Sequence, residues 1–302
     1  MYSVSVPLIG ALITFMSGVN SRLSGITGNL VAVLVIHAAG LAVVSAILLV
    51  TRPEQRQGQE RLPLYYYLGG FVGVGTVFSS NYAFGALGAS LAVALALLGQ
   101  TLFSVAVDAT GFMGRARYPL SVRRLPGIGL AIAGVAVMGS AAVGSGRAGP
   151  AAMLVALVSG ALPALTFILN SELGRRKGIM RSTRVNFIVG LGTTLVIAAV
   201  VRPPVHEAVH ALVMAGPFLA LGGGLMGVVV VSVMNLVFPR MPAFSSAVLL
   251  FSGQALAGVL IDFAADGAFD VRKLVGTLVL LAGLSINGLL TRRAESAGQA
   301  AP

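Results

Sequence analysis

GALITFMSGVNSRL at Gly10–Leu23 returns as GALPALTFILNSEL at Gly160–Leu173. From Gly10 to Pro53 a constant offset of 150 pairs 14 identical residues in 44, among them Asn20/Asn170, Gly28/Gly178, Gly40/Gly190 and Arg52/Arg202. From Gly69 to Asp108 an offset of 154 pairs 14 in 40, including Gly73/Gly227, Asn81/Asn235, Gly99/Gly253, Gln100/Gln254 and Asp108/Asp262. A repeat of this length constrains the fold before any short motif does, because whatever one copy folds into the other must also fold into. The copies cover residues 1–145 and 146–302.

The medium in which each copy folds follows from composition: 57% hydrophobic and 10% charged residues, with a mean hydropathy of +0.95 over 302 residues. That is the composition of a polytopic membrane protein. Apolar runs long enough to cross the hydrocarbon core as helices lie near Val4–Asn20, Leu30–Val50, Leu64–Phe84, Ala89–Thr110 and Leu125–Val143. The second copy adds runs near Ala151–Asn170, Val185–Val201, Ala211–Phe238, Ala243–Phe263 and Leu274–Leu290. The expected fold is all-α and integral to the membrane, with ten transmembrane helices in two repeats of five. An odd number of crossings per copy makes the second repeat enter from the opposite face, so the topology is inverted.

Basic residues test that inversion separately, because loops kept in the cytoplasm hold an excess of Lys and Arg. Loops on the N-terminal side contain 15: Arg52, Arg56, Arg61, Arg115, Arg117, Arg123, Arg124, Arg175, Arg176, Lys177, Arg181, Arg184, Arg240, Arg292 and Arg293. The other side contains 5: Arg22, Arg147, Arg202, Arg272 and Lys273. Both termini, including the short C-terminal tail, are therefore expected in the cytoplasm. The net charge of +11 is explained by this bias; the cations sit in separate short loops without interleaved aromatic residues, unlike a nucleic-acid surface. With no cysteine and only three histidines, two of them (His206 and His210) lacking a third ligand, no metal or cofactor is expected.

The duplicated polar residues are the candidate functional groups. Buried amides in hydrocarbon are costly unless paired, so they should face the helix bundle or a hydrated cavity. Gln100 and Gln254 fall halfway along the fourth and ninth spans, near the membrane midplane. Asn20 and Asn81 lie toward the outer ends of their spans, and inversion puts Asn170 and Asn235 toward the inner ends. An outer layer, a central pair and an inner layer make a two-gated pathway, with helix packing as the competing role for the asparagines. Tyr82 joins the expected cavity lining. In the third span Gly70, Gly73, Val77, Asn81 and Phe84 form one stripe, repeated as Gly224, Gly227, Val231, Asn235 and Phe238. Gly69, Gly70, Gly73, Gly223, Gly224 and Gly227 are read as small residues for close helix packing. His37, Asp108 and Asp262 are candidate proton or salt-bridge sites, Asp108 with the Arg115–Arg124 loop and Asp262 with Arg272 or Lys273. No nucleophile and base pair, phosphate loop or carboxylate cluster suggests an enzyme.

The segments VNF..G at Val185–Gly190 and NYAFGALGASLAVALALLGQTLFSVAVDATG from Asn81, with their matches in the other copy, resemble the YdcZ-like proteins of the drug/metabolite transporter superfamily. The resemblance spans roughly Gly10–Leu290 and implies two five-helix units fused in one chain. It also implies a bacterial inner-membrane exporter with a central cavity lined by spans 1, 3, 4, 6, 8 and 9. Met16 and Thr166 depart from the Gln common at that place in relatives, and His37 stands where the second copy has Phe187. Neither first span has the buried Glu of the small multidrug-resistance branch, so cation antiport is not expected. The expected function is secondary active transport of a small polar or amphiphilic solute by alternating access at a midplane site. Coupling to a proton or sodium gradient and a monomeric or homodimeric state remain open. The alternative is a non-transporting membrane scaffold or sensor subunit whose amides only hold helices together.

Overall fold

Apolar segments without access to water must close their own backbone hydrogen bonds, and a helix does this within a single segment. The computed structural model describes residues 2–51, 62–111, 122–144, 149–237 and 243–299, and among them there is no strand. The first copy provides α1 (Tyr2–Thr27), α2 (Asn29–Thr51), α3 (Gly69–Leu87), α4 (Ala89–Thr110) and α5 (Leu125–Gly144). The second provides α6 (Pro150–Ser159), α7 (Ala161–Lys177), α8 (Ile179–Val201), α9 (Val205–Val237), α10 (Ala243–Asp266) and α11 (Val271–Gln299). Single glycines at equivalent places, Gly28 with φ +81° and Gly178 with φ +94°, turn α1 into α2 and α7 into α8. Only glycine takes that left-handed conformation without strain.

Among the described residues eight helical stretches are long and apolar enough to cross a membrane, α6 and α7 counting together as one, and Leu125–Ser140 in α5 forms a shorter apolar helix. α3 falls outside both groups because glycines and the run Ser79–Tyr82 replace much of its apolar surface. One expected span is interrupted only in its hydrogen bonding and another is broken. Pro163 lacks the N–H that would bond the Ser159 carbonyl, which separates α6 from α7 at Gly160, although Gly160 keeps helical angles (φ −59°, ψ −23°). α9 breaks at Gly216 (φ 80°, ψ 164°), just before Pro217. Pro217 is the repeat partner of Pro63, after which the first copy has only a short 3-10 turn, Leu64–Leu68. The expected span Ala211–Phe238 thus joins the end of one helical segment to a second that begins at the proline. Phe238 and the cations Arg52, Arg56, Arg61, Arg115, Arg117, Arg147 and Arg240 lie outside the described residues.

The helices gather into two compact units, and each draws on both copies. One unit takes the start of α1 with α4, α5, α6, α10 and α11 (residues 1–14, 86–161 and 242–302). The other takes the rest of α1 with α2, α3, α7, α8 and α9 (residues 15–85 and 162–241). In the second unit α2 and α8, repeat partners, run antiparallel. Phe187 of α8 covers Gly40, and His37 of α2 covers Gly190. In the first unit α5 and α11 are likewise antiparallel: Gly127 meets Gly283, and Gly134 meets Gly276. A Cβ at any of these last four glycines would strike the partner's backbone, so their absence of side chain sets the interhelical distance.

Candidate functional site

In the second unit each duplicated asparagine of the first spans rests on a glycine of the opposite copy. The Asn20 Oδ1 lies over Gly223, and the Asn170 Oδ1 lies over Gly69; a Cβ at either glycine would collide with the amide. The neighbouring glycines follow the same exchange. Gly70 packs on the Asn186 carbonyl and Gly190 amide, while Gly224 packs on the Ile36 carbonyl and Gly40 amide. Gly73 faces Asn186 and Gly227 faces Phe187. The glycine stripes and the asparagines, separate features in the sequence, are two sides of the same helix crossings.

The backbone geometry is duplicated, but the hydrogen bonding is not. The Asn170 Nδ2 donates to the Asn186 Oδ1 at 2.9 Å, and the Ser182 hydroxyl donates to the Asn170 carbonyl at 2.8 Å. In the first copy Ile36 and Ala32 occupy the places of Asn186 and Ser182. The acceptor that Asn186 offers to the Asn170 Nδ2 is therefore missing from the first copy, and, separately, the Asn20 Oδ1 is buried without a hydrogen-bond partner. Asn81 finds a different solution: its Nδ2 donates to the Asn29 Oδ1 at 2.9 Å, and the Asn29 Nδ2 donates to the Phe78 carbonyl at 2.9 Å. Ser21 donates to the Asn81 carbonyl at 2.9 Å. Asn29 is Ile179 in the second copy, and the Asn235 Nδ2 is buried without a partner, as is the Asn81 Oδ1. Tyr82, expected in a cavity wall, is 49% exposed.

His37 is buried, and its Nδ1 lies 2.8 Å from the Val33 carbonyl, one turn back along α2. Its ring meets Phe187 edge to face, with centroids 5.9 Å apart. Ring and glycine alternate across the α2–α8 contact, so His37 fills the place that Phe187 fills in the other copy.

The glutamines belong to the first unit, half-buried beside its closest crossings. Gly160 packs on the Ala96 carbonyl and the Gln100 amide, and Gly10 packs on the Leu250 carbonyl and the Gln254 amide. Gly99 meets the Leu157 carbonyl, and Gly253 meets that of Pro7, its repeat equivalent. The start of each copy therefore packs against the glutamine helix of the other. The Thr14 hydroxyl adds a 3.1 Å bond to the Gln254 carbonyl, and Ala164 replaces it in the second copy.

The two carboxylates have become different. Asp262 is buried and accepts the Ala89 N–H at 2.7 Å, the Ser90 N–H at 3.2 Å and the Ser90 hydroxyl, while Lys273 pairs with it at 2.8 Å. It caps α4 from α10, where Gly88 at the N-cap has no side chain to do so. Negative charge there also complements the positive end of the helix dipole. Asp108 is one-quarter exposed and pairs with buried Arg124 at 3.3 Å. Asn29, Asn186, Ser182 and the capping role of Asp262 were missed from sequence; the three polar residues occur in one copy only, outside the set of duplicated identities.

These features define a multi-pass membrane protein built from a doubled helical unit, with amides at its crossings and no array of catalytic groups among the described residues. The chain matches the family described as "Putative inner membrane exporter, YdcZ" over residues 1–137 and again over 151–286. It belongs to that family, the DMT_YdcZ family of inner-membrane transporters. A solved structure described only as "Crystal structure of protein" is similar across 96% of this chain and 99% of its own, with a TM-score of 0.61 and 18% identity, which speaks to the fold alone. No curated protein matches the chain.

Proposed function

We propose that the protein is a secondary active exporter whose two copies form inverted five-helix repeats, ten helices in all, with both termini in the cytoplasm. The antiparallel α2–α8 and α5–α11 contacts between repeat partners support the inversion, as does the reversed bias of basic residues, Arg22 alone after the first span against Arg175, Arg176, Lys177, Arg181 and Arg184 after its counterpart. The transported solute is a small polar or amphiphilic molecule, bound near the midplane beside Gln100 and Gln254, and transport proceeds by alternating access.

The observation that carries this reading is the unpaired set of buried amides. Asn20 Oδ1, Asn81 Oδ1 and Asn235 Nδ2 all lack partners among the described residues. Leaving each such atom unpaired costs about 1–3 kcal/mol. A protein that exchanges between two helix arrangements tolerates that cost, because the amides gain partners in the other arrangement. A scaffold with a single arrangement has no such compensation.

Replacing Gln100 and Gln254 together by Leu tests the function. Metabolite profiles of cells with and without the protein identify the solute, and proteoliposomes under imposed pH and sodium gradients measure its flux. The variant is expected to reach the membrane at normal abundance and lose at least about 10-fold in flux. A variant that transports at the unaltered rate would favour the scaffold reading.

A further inference from the structure

At the end of the second unit where α7 turns into α8, a groove of about 370 Å³ opens between the start of α8 and the end of α9. Its lining is Lys177, Gly178, Met180 and Arg181 on one side and Ser232 and Leu236 on the other, with mostly apolar walls. Two cations therefore rim an apolar trough at a helix end. The neighbouring Arg175 and Arg176 are engaged by Glu172, which accepts from Arg175 Nη2 at 2.8 Å and from Arg176 Nε at 2.8 Å. Lys177 and Arg181 are the cations that line the groove itself.

From the groove an exposed apolar face runs along α9. Leu221, Leu225 and Val229 are exposed and follow one another at four-residue spacing toward Val233, which lines the groove. Four-residue steps keep them on one helix face. Leu221 to Val233 covers about 18 Å of rise, close to the length of an extended acyl chain in one leaflet. A cationic rim over an apolar track of that length has the complementary form of a phospholipid: anionic head above, acyl chain below.

The equivalent positions of the first copy carry no cation. Thr27 and Val31 replace Lys177 and Arg181, and Phe78 replaces Ser232. Loop charge alone sets membrane orientation and requires no groove, so the opening between Lys177, Arg181 and Ser232 is not explained by the orientation signal. From this the geometry points to a bound anionic phospholipid, its phosphate between Lys177 and Arg181 and an acyl chain laid on the Leu221–Val233 face. Basic pockets between membrane helices hold anionic headgroups by the same physics.

Native mass spectrometry of the full chain released from detergent, with dioleoylphosphatidylglycerol or dioleoylphosphatidylcholine added, tests this. Phosphatidylglycerol should be retained at least about 10-fold more tightly than phosphatidylcholine, and Lys177→Gln/Arg181→Gln should abolish most of that preference. Ser232→Phe, which puts into the groove the bulk that the first copy carries at Phe78, should weaken retention without changing charge. Arg202→Gln, a cation outside the groove, should leave retention unchanged. Equal retention of the two lipids, undiminished retention by the double variant, or displacement by soluble glycerol 3-phosphate would each overturn the assignment; the last would indicate a site for a water-soluble phosphate.

Discussion

Asn20 and Asn170 occupy equivalent positions, each laid on a glycine of the opposite copy, yet the Asn170 amide donates to Asn186 while the Asn20 Oδ1 is buried without a partner. Ile36 stands in the first copy where Asn186 accepts from Asn170 in the second. The same contrast recurs at Asn81, which has Asn29, against Asn235, whose copy has Ile179 in that place. The crossings are held in common because steric fit is demanded by both copies: without the hydrophobic effect between helices in lipid, close glycine contacts supply the packing. The polar partners have diverged because the copies present their equivalent ends to opposite membrane faces in the proposed topology. The duplicated feature is therefore the geometry, and the chemistry is what the two faces have individualised.

The largest expected effect is on the common geometry. Gly223→Leu or Gly69→Leu drives a branched side chain into Asn20 or Asn170 and should abolish most folded protein, read as loss of a monodisperse peak after detergent extraction. Tolerance of either would mean that the crossing is loose, removing the packing half of the comparison. Next comes the carboxylate pair. Asp262→Ala strips the cap from α4 and leaves Lys273 without its buried partner, a cost of about 3 kcal/mol. Asp108→Ala, at a site one-quarter exposed, should cost about 1 kcal/mol or less. Thermal unfolding midpoints in one detergent should fall in that order.

The asparagines give smaller differences. Asn170→Leu leaves Asn186 unpaired and should cost about 1–2 kcal/mol more than Asn20→Leu, which removes an amide whose oxygen has no partner to lose. Ile36→Asn, which copies the Asn186 arrangement into the first repeat, should raise stability by about 0.6 kcal/mol if the geometries truly match. A loss on that substitution would show that the two crossings differ in more than their polar partners.

Much of the fold is visible in the sequence because duplication reports on itself. The recurrence of Asn20, Gly69, Gly99, Gln100 and Asp108 identifies the residues on which both copies depend. It does not identify their contacts. That Asn20 meets Gly223, or that Asp262 caps α4, depends on how helices of one copy pass beside those of the other, and no residue's own chemistry encodes that exchange. The same reliance on identity hid Asn29 and Asn186, which hydrogen-bond two of the duplicated asparagines but have apolar equivalents. The interruption at Gly160 and the break at Gly216 carried a local signal, Pro163 and Pro217, which the continuous apolar character of those runs obscured. The run Leu64–Phe84, read from sequence as long and apolar enough to span, gives a helix only from Gly69, and glycine and Ser79–Tyr82 leave α3 less apolar than the stretches that qualify as spans.

The proposed inversion of the copies underlies the account of these differences, and a sequence without cysteine makes it directly measurable. Arg22→Cys near the end of α1 and Arg175→Cys near the end of α7, both exposed, mark equivalent ends of the two copies. With a membrane-impermeant thiol reagent on intact cells, Arg22→Cys should label at once and Arg175→Cys only after the membrane is permeabilised. Labelling of both from the same side would contradict the inverted arrangement.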